Sequence, residues 1–385
     1  MQLPSNSRPT WVDVSLPALV RNFELIRRHV GPGVMVCAVV KADAYGHGAA
    51  ECARALQQAG ATWFGVTSTD EGVRLREAGI EGGILLMTGF WRGEQEAVLR
   101  HRLTPAVWQQ ESLELLEGVA GKLSAQAKVH VKVDTGMSRL GVEHDKVAEF
   151  CKLLPKFKQV RIEGVFTHLA SSEILDSETN AEQLARFDAA LSEFRRQGIN
   201  PPIVHAANSS AIAGLPQSHY NFVRPGISLY GYYLPFVSST GRPSELRGLA
   251  VEPVLSWKTR ITGLRQVASG AGVGYGSTYT ARRPMTIAVL PVGYADGLNR
   301  QLSSMGRVLV RGEVAPIIGR VSMDVTLIDV SAIRSVGIGD EVVIIGRQGE
   351  HRLDAWEHAT LAHTIPYETL CAISARVPRR YCSSD

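Results

Sequence analysis

"VMVCAVVKADAYGHG", residues 34–48, is the stretch on which the reading of this chain turns. Its first part, Val34 to Val40, is an apolar run short enough to be a strand buried on both faces. The run stops at Lys41, and Asp43, Tyr45, Gly46, His47 and Gly48 follow at once. A lysine at the mouth of a buried strand is costly as packing alone. It is useful where something covalent or anionic waits.

Seven further runs of the same kind follow: "WFGVTS" (63–68), "GILLMT" (83–88), "TPAVW" (104–108), "KVHVKVD" (128–134), "RIEGVFTHL" (161–169), "PIVHAAN" (202–208) and "NFVRPGISLYG" (221–231). Helical patterns lie between most of them. "DEGVRLREAG" (70–79) stops at Gly79, as helices tend to. "NAEQLARFDAALSEFRRQG" (180–198) carries Leu184, Phe187, Leu191 and Phe194 at three- and four-residue steps, one apolar helix face. Eight strand–helix alternations predict an α/β fold that opens with a (β/α)8 TIM barrel. An open doubly wound sheet fits less well, because the count is eight and no dinucleotide-type glycine turn follows the first strand.

From about Val251 the character changes. "PVLSWKTRITGLRQV", "TIAVLPVGYADG", "GRVLVRGEVAPIIGRVSMDVTLIDVS" and "VGIGDEVVIIG" read as strands joined by Gly- or Pro-containing turns. A mostly-β C-terminal domain is expected over 246–385, after a barrel domain over 1–245 and a linker around "SELRG". Residues 10–16, "TWVDVSL", are candidates to pair with the β domain. One helical stretch, "LDAWEHATLAHTIPYETLCAIS" (353–374), should close it.

Composition narrows the class. Hydrophobic residues make up 45% and charged residues 20% of 385 positions, as in ordinary globular chains of about two domains. The 41 basic and 37 acidic residues are interleaved, so no nucleic-acid footprint is expected. No secretory signal or apolar membrane span is read. The five cysteines are widely spaced with no C-x-x-C, which fits a reducing, cytoplasmic setting and neither a disulfide framework nor a zinc site. His358 and His363 do not share a helix face well, so no metal is expected. "GAGVGYGS" (270–277) lacks G-x-G-x-x-G and is read as a mobile loop rather than a nucleotide loop.

A barrel of this kind holds its site at the C-terminal ends of its strands. The polar residues ending the runs are Lys41 and Tyr45, then Lys132, Asp134 and Arg139, then Thr167 and His168. Strand seven adds His205, Asn208, Ser209 and Ser210, and strand eight adds Arg224, Gly226 and Ile227. Singly, each reads as a satisfied core group or a cap. Together, two lysines and two arginines on one rim make sense around an anion. "RPGIS" offers the N–H groups of Gly226 and Ile227 at the start of a short helix, where phosphate binds. Ser209 and Tyr45 can add hydroxyls. A phosphate beside a lone lysine suggests pyridoxal 5′-phosphate held as a Schiff base. Arg224 would sit under the ring and, keeping its proton, would leave the pyridine nitrogen unprotonated.

"VVKADAYGHG" resembles the lysine signature of the alanine racemases. "KVDTGMSRLGV", "THLASSE", "HAANSSA", "FVRPGISLYG", "GVGYGSTY", "PVGYADG", "GRVSMD" and "IPYETLC" resemble that family's further blocks, in its order, along nearly the whole chain. The resemblance implies a barrel plus β domain and a homodimer with shared sites. It also implies two-base interconversion of L- and D-alanine with pyridoxal phosphate, supplying D-alanine for peptidoglycan. It makes Lys41 the Schiff-base lysine and one base, and Tyr275 the opposite base, supplied by the partner chain. Tyr45, Ser209, Gly226, Ile227 and Tyr367 correspond to its phosphate cradle. Arg224 corresponds to the arginine facing the pyridine nitrogen, with His168 beside it. Arg139 corresponds to the arginine near the cofactor phenolate and substrate carboxylate, Met323 to a substrate contact through its N–H, and Lys132 to a lysine carbamylated in many members. Ser138 and Ser322 stand where glycine and cysteine are common, and Leu298 and Asn299 replace an aromatic–proline pair near the entrance.

Rival readings are a broader-specificity amino-acid racemase, a decarboxylase of the same fold, and a non-catalytic pyridoxal-phosphate binder. The decarboxylases pair the ring nitrogen with a carboxylate, against Arg224. The binders resemble the barrel alone, against a β domain carrying Tyr275 and Tyr367.

Overall fold

Each of the eight apolar runs forms a strand in the computed structural model, which describes residues 8–382. They are Met35–Val39, Trp63–Val66, Gly83–Leu86, Thr104–Val107, Ala127–Asp134, Val160–Phe166, Ile203–His205 and Phe222–Val223. Neighbours pair parallel in chain order, and the eighth returns to the first, with Phe222 opposite Met35 and Val223 opposite Val36. Just past the seventh and eighth strands, the Arg224 N–H donates to the Ala207 carbonyl at 3.0 Å. The result is a nearly closed (β/α)8 barrel, as expected. Val, Ile, Leu and Phe fill it because parallel strands are covered on both faces. Helix Glu178–Arg196 buries Leu184, Phe187, Leu191 and Phe194, each such side chain contributing about 1.5–3 kcal/mol.

The chain divides into two compact units. One comprises Leu19–Ala44 and Ala49–Glu252; the other comprises the described part of Met1–Ala18, Tyr45–Gly48 and Pro253–Asp385. The second unit is mostly β. Its larger sheet runs Glu313–Pro316, Arg307–Val310, Glu341–Gln348, Leu255–Arg260, Thr10–Ser15 and Arg379–Cys382, with His351–Leu353 paired to Glu341–Gln348. Thr10–Ser15 pairs antiparallel with Leu255–Arg260, and the buried hydroxyls of Thr10 and Thr259 share a 2.8 Å hydrogen bond. A three-stranded sheet joins Gly263–Val267, Met285–Leu290 and Thr326–Asp329.

The helical stretch expected near the end is in fact two helices, Ala355–Leu361 and Pro366–Cys371. Pro366 disfavours helical backbone at the residue before it, and His363 takes a left-handed φ of +55°. Pro366 itself suits the first turn of the second helix.

Candidate active site

Lys41 opens a turn of unusual hand. Ala42, Asp43, Ala44 and Tyr45 have φ of +51°, +52°, +54° and +54°, a left-handed helical turn without a glycine until Gly46. Each such residue costs about 1–2 kcal/mol. Local hydrogen bonds offset part of this. The Ala42 N–H donates to Glu71 Oε1 at 2.7 Å, and the Ala49 N–H donates to Asp43 Oδ1 at 2.7 Å. Glu71 is itself fixed, since it closes a capping box with Ser68 at the start of helix Thr69–Glu77. Its other oxygen accepts from the Thr67 N–H at 2.8 Å.

Lys132 lies on the fifth strand, only 4% exposed, with Nζ 5.0 Å from the centre of the Phe166 ring. Asp134 ends that strand. Its Oδ1 accepts from the N–H groups of Gly136, Met137 and Ser138 at 3.0, 2.9 and 3.1 Å, coiling the loop that presents Arg139. Ser138 has φ +55°, left-handed backbone that glycine adopts more readily than serine. Thr135 and Thr167 share a 2.7 Å hydroxyl hydrogen bond. Gln183 clamps this region, donating to Thr135 Oγ1 and the His168 carbonyl and accepting from the Ala170 N–H.

Arg224 is 3% exposed and thoroughly engaged. Its Nη2 donates to the carbonyls of Thr167 and Ala206 at 2.9 and 3.0 Å and to His168 Nδ1 at 3.3 Å. Its Nη1 donates to His205 Nδ1 at 2.6 Å. Burial pushes its pKa down to about 10, so it stays charged near neutrality. At the seventh strand's mouth, Ser209 begins helix Ser209–Gly214, capped by Asn208. The N–H of Gly226 and the N–H and hydroxyl of Ser228 converge on Ser209 Oγ at 2.9, 3.3 and 3.1 Å.

Charge is lopsided here. Burial first, then Arg224, Lys132, Arg139 and Lys41 hold His168 well below its usual pKa. Lys132 is pushed down to about 7 by burial, Arg224 and Arg139, with Asp134 opposing. Four cationic side chains thus act on one imidazole. Such a mouth is complementary to an anion, and the donors gathered at Ser209 suit a phosphate. A neighbouring lysine completes the donor set that a phosphorylated aldehyde needs, so the residues fit pyridoxal phosphate.

The remaining candidates lie in the second unit. Tyr45 and Tyr367 bring their ring centres to 5.9 Å. Tyr275 is 72% exposed on a turn flanked by Gly274 and Gly276, whose φ of +72° and +70° no β-branched residue would adopt comfortably. Met323 is 53% exposed. Among the described residues, no group of three or more His, Cys, Asp or Glu is placed to hold a metal ion.

Residues 14–234 match the pattern described as alanine racemase, N-terminal domain, and residues 254–381 match alanine racemase, C-terminal domain. The chain belongs to the alanine racemase family. It is 42% identical to an alanine racemase of Halothermothrix orenii over 377 residues and 43% identical to one of Symbiobacterium thermophilum over 374, with 97% of each chain covered. Among solved structures it resembles the alanine racemase from Bacillus anthracis with bound L-Ala-P, with TM-score 0.89 and 34% identity over 99% of this chain and 96% of that one. It also resembles the alanine racemase from Bartonella henselae with covalently bound pyridoxal phosphate, with TM-score 0.85 and 30% identity over 98% and 100%. Glu71 and Gln183 were not among the candidates that the sequence offered. Only the capping box that includes Glu71 carried a local signal.

Proposed function

We propose that this chain interconverts L- and D-alanine using pyridoxal 5′-phosphate, removing a proton from Cα on one face and returning one on the other. The observation that carries the reading is the crowding of Lys41, Lys132, Arg139 and Arg224 about His168, beside the donors converging on Ser209. The structure of the Bartonella henselae relative with covalently bound pyridoxal phosphate supports the cofactor.

Bound at this mouth, pyridoxal phosphate supplies an aldehyde for a lysine and an electron sink for the bond being broken. Lys41 holds it covalently, and Lys41 Nζ carries the proton on one face. Tyr275 of the partner subunit carries it on the other through its hydroxyl. Tyr45, Ser209, Tyr367 and the N–H groups of Gly226 and Ile227 hold the phosphate. Arg224, with His168 beside it, faces the pyridine nitrogen and denies it a proton. Arg139 holds the cofactor phenolate and the substrate carboxylate, and Met323 of the partner subunit meets the substrate through its N–H. Lys132 as a carbamate reverses its charge and steadies Arg139. The chain works as a cytoplasmic homodimer, without nucleic acid, membrane or metal, and its D-alanine serves peptidoglycan synthesis. Cys37, Cys52 and Cys151 are buried.

Borohydride reduction of the loaded protein, followed by peptide mapping, should leave the pyridoxyl group on Lys41. Label on Lys132 instead would overturn the assignment. A panel of L-amino acids read by chiral chromatography separates alanine racemisation from broader specificity.

A further inference from the structure

Behind Arg224, on the side away from the barrel mouth, runs a line of buried nitrogen atoms. Arg224 Nη1 donates to His205 Nδ1 at 2.6 Å. His205 Nε2 lies 2.9 Å from His130 Nδ1. His130 Nε2 has no hydrogen-bond partner and faces Glu163 Oε2 at 4.0 Å. Glu163 Oε1 in turn takes an ion pair from Lys128 Nζ at 2.9 Å. Both imidazoles are fully buried. Phe166 stacks on His205 with ring centres 4.6 Å apart, and Trp63 lies 5.4 Å from His130. Gly164 makes room, because a Cβ there would come within 2.7 Å of the His130 ring. Glu163 and Lys128 line a cavity of about 560 Å³ with Arg76, Arg102 and Trp63.

With the guanidinium oriented as it is in this structure, the direction of the line follows from its donor end. Arg224 is a donor only, so His205 must accept at Nδ1 and carry its proton on Nε2. That proton goes to His130 Nδ1, so His130 must carry its own on Nε2, facing Glu163. In the opposite direction two donors would meet head-on at Arg224, and the guanidinium would have to turn. Burial, and then Arg224, push His130 down to about 3, and His205 is likewise held well below its usual value. Both rings are therefore neutral, and the contact with Glu163 is between a charge and an N–H dipole rather than an ion pair. We infer that Glu163 is a positioning residue for Arg224, acting through His130 and His205 by fixing which nitrogen of each ring carries the proton. The inference rests on the reading of Arg224 as the group that faces the cofactor nitrogen. Its structural half, the proton placement, does not.

Nitrogen-15 spectra of the histidine rings test that half in apoenzyme, without any turnover. In the unaltered protein both His130 and His205 should carry the proton on Nε2. In Glu163→Gln the His130 signals should shift towards a mixture of tautomers. In the loaded enzyme kcat for racemisation should fall about three- to tenfold with KM little changed. Glu163→Asp, which keeps the charge but withdraws it, should act in the same direction and more weakly. A proton on His130 Nδ1 in the unaltered protein, or ring signals that move in neither variant, would overturn the inference. Ring signals that move as expected in a protein that racemises nothing would instead count against the proposed function.

Discussion

The Ala42 N–H donates to Glu71 Oε1 at 2.7 Å, tying the residue after Lys41 to the helix that follows the second barrel strand. That bond helps to hold four residues in left-handed backbone at the point where a lysine must be aimed. Glu71→Ala leaves the N–H groups of Ala42 and Thr67 without their acceptor, and each unsatisfied donor costs about 1–3 kcal/mol. The dissociation constant for pyridoxal phosphate, followed by absorbance titration, should weaken about tenfold or more. An unchanged constant would show that the turn holds itself.

Arg224→Glu should slow racemisation about a hundredfold or more and raise transamination. With pyridoxal phosphate bound, a carboxylate at this position would favour a protonated ring nitrogen and so a stronger electron sink. The substitution also leaves His205 without its donor. Pyruvate formed from alanine measures the side reaction. If racemisation slows but pyruvate does not rise, Arg224 acts only by packing.

Lys132 predicts a slope of stability with pH. Its folded-state pKa, about 7, lies below the ordinary lysine value of 10.5, with burial the main cause. Between these values the unfolded chain binds a proton that the folded chain does not, so stability rises with pH across that window. The contribution is complete above the unfolded value and is lost as pH falls towards about 7. Lys132→Met should remove this slope in denaturant unfolding of the apoenzyme from pH 7 to 10 in carbon-dioxide-free buffer, where Lys132 is the free amine. A neutral amine is also the form that adds carbon dioxide, so ¹³C-bicarbonate should give a carbamate signal that Lys132→Met abolishes. A signal that survives the substitution would place the carbamate elsewhere.

Two inactive variants should restore each other. If Tyr275 serves the partner's Lys41, mixing Lys41→Ala with Tyr275→Phe under subunit exchange gives hybrids with one intact and one doubly broken site. Activity should approach half that of the unaltered protein per hybrid dimer. No recovery, with exchange confirmed, would mean that Tyr275 acts in its own chain or not at all.

The barrel was legible because each buried parallel strand is a run of Val, Ile, Leu and Phe that ends in polar residues. The rim candidates followed from where such a barrel keeps its chemistry. Lys132, Arg139, His168 and Arg224 do act on one another there. What stayed hidden depends on contacts remote in sequence. The left-handed turn at 42–45 contains none of the glycines that would announce it, and its support comes from Glu71, 29 residues beyond Ala42. Gln183 sits on a face of its helix that reads as polar, yet it is fully buried against loops that precede the helix. His130 stands inside the apolar run "KVHVKVD" and reads as a core histidine. Its link to Arg224 exists only because His205, 75 residues on, lies beside it.

Reversible exchange of the Cα proton of alanine is followed best with deuterium. Purified protein loaded with pyridoxal phosphate is incubated with L-alanine in D2O, and the products are resolved by chiral chromatography and mass spectrometry. Equal amounts of L- and D-alanine are expected at equilibrium, with deuterium at Cα of the D-alanine and no net pyruvate or ethylamine. L-Alanine left unchanged, or converted to ethylamine with loss of carbon dioxide, would show that this chain is not an alanine racemase.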